Sequence, residues 1–103
     1  MSAMDVTLLT LDGCPNAVIA RQRLTEAFDR LGLDPAAITY ATVDSGDAAE
    51  RLGFRGSPSI LINGTDHFAG HDSPVGLSCR IYRTDTGIDG APSVDQLTAL
   101  LRS

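Results

Sequence analysis

Two cysteines, Cys14 and Cys79, are the residues of this chain best suited to nucleophilic or soft-metal chemistry. Two are too few for a disulfide scaffold, and they are not spaced like a zinc site. Pro15 follows Cys14 directly, and proline is typical of the first position of a helix. A cysteine at a helix start has its pKa lowered from about 8.5 to roughly 3.5 to 7.5, which makes Cys14 the candidate catalytic nucleophile.

A cysteine that starts a helix without being reactive is the alternative interpretation of Cys14. Asp12 lies two residues earlier and is suited either to acid–base chemistry or to ending a strand in a turn. We favour the turn, because a carboxylate next to the thiol opposes ionisation of the thiol by like-charge repulsion.

His67 and His71 are four residues apart, are flanked by acidic residues and precede Cys79. Imidazole and thiolate are ligands for soft metals, but the spacing matches no established metal site. Polar residues of a solvated loop explain the two histidines equally well. The sequence therefore predicts neither a metal nor a cofactor.

The length of 103 residues predicts a single domain over residues 1–103. A net charge of -5 without a basic cluster argues against nucleic-acid binding, and the absence of lysine excludes Schiff-base chemistry. The apolar stretches fall short of the ~20 residues of a membrane helix, so no membrane association is expected. The opening ten residues lack a basic leader, so we expect a cytoplasmic protein, whose oligomeric state is left open.

Apolar periodicity, turn residues and caps predict the element order β-α-β-α-β-β-α. A long surface loop over residues 65–78 is expected between the third and fourth strands. Capping boxes are expected at Asp47 with Glu50 and at Ser93 with Gln96. The predicted strands cover Val6–Leu11, Ile38–Val43, Ser59–Ile62 and about Cys79–Arg83, and the helices begin at Pro15, near Asp47 and after Ser93.

This order is that of the thioredoxin fold, and two motifs agree with it. Gly13-Cys-Pro-Asn-Ala17 is placed like the Cys-x-x-Cys motif, and Leu52–Gly64 resembles the stretch that carries the cis-proline of that family. The chain thus resembles the thioredoxin-like superfamily over nearly its whole length, which implies an α/β fold with a four-stranded mixed sheet flanked by helices. More narrowly, it resembles small bacterial thioredoxin-like proteins, some of them labelled alkylmercury-lyase-like.

The resemblance implies that Pro58 is cis and that the backbone of Ser57 faces Cys14. It assigns substrate binding to Pro15, Ser57 and Pro58. Ala17 replaces the second cysteine of the motif, so the expected activity is monothiol exchange with protein or low-molecular-weight thiols and disulfides.

Cys79 is the only other thiol of the chain. The expected sheet places it about 15 Å from Cys14 along the fourth strand, as a packed core thiol. Two alternatives to the exchange activity stay open. One is a binding module without catalysis, and the other is a protein that captures mercury through a thiolate.

Overall fold

A computed structural model describes residues 5–68, 75–77 and 80–102 as an α/β structure. A single 3₁₀ turn over Pro35–Ala37 precedes the second strand. The strands are β1 (Val6–Thr10), β2 (Ile38–Thr42), β3 (Ser59–Ile62), β4 (Tyr82–Thr84) and β5 (Gly87–Asp89), and the helices are α1 (Pro15–Arg30), α2 (Gly46–Leu52) and α3 (Val94–Arg102).

Strand β1 is the centre of a mixed three-stranded sheet with the order β2-β1-β3. It is parallel to β2 and antiparallel to β3, where Leu9 is the partner of Ser59. Because of this antiparallel pairing, the end of β1 and the start of β3 lie at the same edge of the sheet. The loop from β1 into α1 therefore meets the residues that precede β3.

The predicted four-stranded sheet is wrong for the part of the chain that the structure describes. Strand β4 pairs with β5 in a separate two-stranded sheet, in which Thr84 is the partner of Gly87. The hairpin is closed by the hydroxyl of Thr84, which accepts from the Thr86 amide at 3.3 Å and donates to the Gly87 carbonyl at 3.0 Å. Strand β5 was not predicted from the sequence.

Helices cover both faces of the three-stranded sheet. One apolar cluster joins α1 and α3 to one face, and a second joins α2 to the other. Val6 and Leu8 of β1 belong to the first cluster, whereas Leu9 belongs to the second. Strand β1 is therefore buried on both faces, which explains why its apolar residues do not alternate.

One of the two predicted capping boxes is present in the structure. Ser93 and Gln96 form the predicted capping box, since each side chain accepts from the other residue's amide, at 3.1 and 2.9 Å. Asp47 is not the cap of α2. That helix begins one residue earlier than Asp47, and the hydroxyl of Ser45 accepts from the Ala48 amide at 3.1 Å.

Within the described ranges, no helix is both long enough and apolar enough to cross a membrane.

Candidate functional site

Cys14 occupies the N-cap position of α1 without a capping hydrogen bond from its side chain, and Pro15 lies in the first turn, as predicted. The turn before it needs the left-handed backbone of Gly13, at a φ of 77°. The Cys14 amide donates to the Leu11 carbonyl at 3.3 Å, and the Cys14 carbonyl accepts from the Ala17 amide at 3.1 Å. The residue is buried, with 8% of its surface exposed, while Gly13 and Pro15 beside it are exposed.

Ser57 meets Cys14 across the edge of the sheet. The thiol of Cys14 donates to the Ser57 carbonyl, with 3.9 Å between sulfur and oxygen. The Ser57 hydroxyl accepts from the Leu11 amide at 3.0 Å, which ties the same residue to the end of β1. The peptide bond between Ser57 and Pro58 is cis, the isomer that the resemblance implied. The two sequence motifs therefore converge on one site.

The Gly56–Pro58 turn is held by buried donors at each of its three carbonyl oxygens. The first accepts from the hydroxyl of Ser59 at 2.6 Å. The second accepts from the backbone amide of Arg80 at 3.0 Å, in addition to the Cys14 thiol. The third accepts from the hydroxyl of Tyr82. Ser57 and Pro58 are themselves fully buried, so the turn is part of the protein interior.

An ion pair between Arg80 and Asp66 lies behind this turn. The shortest contact between the two side chains is 2.5 Å, and each side chain is only 8% exposed. The guanidinium also donates to the Ser59 hydroxyl at 3.2 Å and lies 4.6 Å from the ring centre of Tyr82. Burial raises the pKa of Tyr82 far above its ordinary value, which Arg80 partly opposes and Asp66 reinforces.

This ion pair was not predicted from the sequence, and the prediction of a surface loop over residues 65–78 is wrong at Asp66, whose side chain is buried. The signal for it is weak: Arg80 interrupts the apolar run of the predicted fourth strand, and Asp66 follows a turn. Only the tertiary fold joins the two residues.

Ala17 occupies the position at which a dithiol motif has its second cysteine. It lines a groove of about 180 Å³ between α1 and the sheet, together with Thr10 and Tyr40. Cys14, by contrast, contacts the turn before β3. The structure thus places the two positions of the motif next to different strands of the sheet.

His67 is exposed, and the described residues contain no group of three or more side chains suited to hold a metal. His71 and Cys79 lie outside the described residues, and with them the prediction that Cys79 is a packed core thiol. The amide of Arg80, the next residue, donates to the same Ser57 carbonyl that accepts the Cys14 thiol.

Comparison with known proteins gives no relative from which a function can be transferred. The chain matches no family model, no curated protein and no solved structure. The sequence motifs and the geometry around Cys14 are therefore the basis for a proposed function.

Proposed function

We propose that this protein is a monothiol thiol–disulfide oxidoreductase of thioredoxin-like type that acts through Cys14. The observation that carries the proposal is the meeting of the helix-start thiol with the Ser57 carbonyl at 3.9 Å. The arrangement of β1, α1, β2 and β3 around this contact supports the thioredoxin-like interpretation. The fourth strand expected of such a sheet is not paired with β3 in the described residues.

The proposed reaction begins with attack of the Cys14 thiolate on one sulfur of a disulfide. The disulfide bond breaks, a mixed disulfide forms at Cys14, and the other sulfur leaves as a thiolate. A second thiolate, from a low-molecular-weight thiol, then attacks the Cys14-bound substrate sulfur. This step releases a new disulfide and restores the Cys14 thiolate, so the protein is neither oxidised nor reduced over the whole cycle. Ala17 offers no thiol for an internal alternative to this step.

Helix α1 is the feature that favours the thiolate. It has 16 residues, and Cys14 lies at its N-terminus, at the positive end of the helix dipole. Burial and donation to the Ser57 carbonyl both favour the neutral thiol instead. We expect the effect of α1 to outweigh the two opposing effects, so that the pKa of Cys14 lies below that of an ordinary thiol. The incoming disulfide then approaches over the exposed residues Gly13 and Pro15.

The proposal is tested by following the mixed disulfide directly. Purified protein is incubated with the disulfide of a low-molecular-weight thiol, and the adduct is located by mass spectrometry. We expect one adduct at Cys14, which is retained in Cys79→Ser and lost in Cys14→Ser. Catalysed exchange by the wild type that is no faster than exchange by Cys14→Ser would contradict the proposal.

The burial of Cys14 favours one competing function, a binding module in which the thiol is a structural donor. In that case partner binding survives Cys14→Ser, and the protein does not accelerate exchange. Comparison of the wild type with Cys14→Ser therefore distinguishes the oxidoreductase from the binding module.

A further inference from the structure

We infer that Arg80 and Asp66 are positioning residues for Cys14, because their buried ion pair fixes the turn that contacts the sulfur. The inference rests on the proposed function in taking Cys14 as the reacting group. Both act on the thiol through the Gly56–Pro58 turn, and as a neutral pair they leave no single charge behind that turn.

The ion pair is costly to bury, which calls for a role other than stability. Removing two charges from water costs several kcal/mol per ion, and buried pairs are often replaced by apolar residues without loss of stability. Here the desolvation is offset by a two-pronged contact, since the two guanidinium nitrogens lie 2.5 and 3.3 Å from the two oxygens of Asp66. Such a fork fixes the orientation of Arg80 as well as its position.

Three connections run from Arg80 to the turn. Its backbone amide donates to the Ser57 carbonyl. Its guanidinium donates to the Ser59 hydroxyl, which in turn donates to the first carbonyl of the turn. Its guanidinium also lies over the ring of Tyr82, whose hydroxyl donates to the last carbonyl. A substitution of the Arg80 side chain therefore disturbs the donors to the first and last carbonyls of the turn, while the amide that donates to the Ser57 carbonyl stays.

The two charges predict opposite effects on the ionisation of Cys14, which a purely structural role does not predict. Asp66→Asn leaves a positive charge near the turn, which favours the thiolate, whereas Arg80→Met leaves a negative charge, which opposes it. Both variants lose the same ion pair. The charged residues that adjoin the site in sequence, Asp12 and Arg55, are unchanged in both.

The experiment measures the rate of Cys14 alkylation by iodoacetamide against pH in the full-length chain with Cys79→Ser, alongside urea denaturation. We expect the alkylation midpoint to move to lower pH in Asp66→Asn and to higher pH in Arg80→Met, each by about half a unit. Arg80→Lys retains the charge and returns the midpoint towards that of the wild type.

The matched controls are Arg23→Met and Asp89→Asn, which break an ion pair of 2.9 Å between α1 and β5. They leave the midpoint unchanged. Midpoints that move in the same direction, or no further than the controls, overturn the inference. If Arg80→Met does not fold, the alkylation midpoints of Asp66→Asn and Arg80→Lys are compared. A lower midpoint in Asp66→Asn alone supports the inference, and unchanged midpoints in both variants overturn it. A wild type without exchange activity but with these opposed shifts contradicts the proposed function and leaves the inference standing.

Discussion

The sulfur of Cys14 lies 3.9 Å from the carbonyl oxygen of Ser57, although 43 residues separate them in the chain. The antiparallel pairing of β1 with β3 produces this contact, because it places Leu9 opposite Ser59. The thiol and the turn before β3 are consequently one structural unit. Changes on either side of the contact are expected to alter the reactivity of the thiol.

Ser57→Ala removes the hydroxyl that accepts from the Leu11 amide but keeps the carbonyl next to Cys14. A partly buried amide that loses its acceptor costs about 1 to 3 kcal/mol, so we expect the free energy of unfolding to fall by that amount. The loop from β1 to Cys14 is released at the same time, so the alkylation rate of Cys14 at neutral pH changes too.

Ser45→Ala is the matched control for this variant. It removes a comparable hydroxyl contact, at the cap of α2, and should lower stability by about 1 kcal/mol. The alkylation rate of Cys14 should not change. Equal changes of that rate in both variants would show that general destabilisation, and not the link to Leu11, controls the thiol.

Ala17→Cys supplies the thiol that the motif lacks. The Ala17 amide donates to the Cys14 carbonyl at 3.1 Å, and such a turn keeps the two Cα atoms within about 7 Å, the upper limit for a disulfide. Oxidation should then yield an internal disulfide in place of the mixed disulfide at Cys14, detected by mass spectrometry as the loss of two hydrogens. Gln22→Cys lies on an exposed part of the same helix, roughly 12 Å along its axis, and should keep the mixed disulfide.

Tyr82→Phe tests the last anchor of the turn and has a distinct dependence on pH. Burial raises the pKa of Tyr82 in the folded protein, so the unfolded chain loses this proton first as pH rises above about 10. The contribution of Tyr82 to stability is therefore complete below pH 10 and is lost as pH rises further. Urea denaturation between about pH 9 and 11 should show a steeper loss of stability in the wild type than in Tyr82→Phe. Parallel curves would contradict the burial of this phenol.

Gly90→Ala tests the packing beside the motif of Cys14. A Cβ at position 90 would lie 2.4 Å from the side chain of Asn16, too close for any contact between such atoms. We expect a loss of stability of about 1 kcal/mol, at the low end for overpacking, because the clashing atoms are the terminal amide of Asn16, which can rotate away. Asn16→Ala removes the clashing atoms, so the double variant should regain most of the loss. A double variant as unstable as Gly90→Ala would contradict this cause.

The parts of the fold that were predictable have strong local patterns. The periodicity of α1 after Pro15, the β-branched run of β3 and the capping box of Ser93 and Gln96 each fix an element within a few residues. The convergence of Cys14 and Ser57 was implied by the resemblance, and the structure shows the contact.

The missed features depend on tertiary contacts or on very short segments. Strand β5 was not predicted, and β4 overlaps the predicted fourth strand only at Tyr82 and Arg83. Each has three residues, too few for alternation to be recognised. Asp66 and Arg80 are 14 residues apart. Charged side chains are ordinarily exposed, and only the fold brings these two together as a buried pair. Nothing in the local sequence indicates that this pair lies behind the Gly56–Pro58 turn that contacts Cys14.

The pH dependence of Cys14 alkylation in the Cys79→Ser protein tests the central claim most directly. Reactivity of Cys14 as a nucleophile requires the N-terminus of α1 to stabilise the thiolate against burial and the Ser57 carbonyl. We predict an alkylation midpoint below about pH 7. A midpoint near the ordinary thiol value of about 8.5 would contradict the proposed oxidoreductase and favour a binding module.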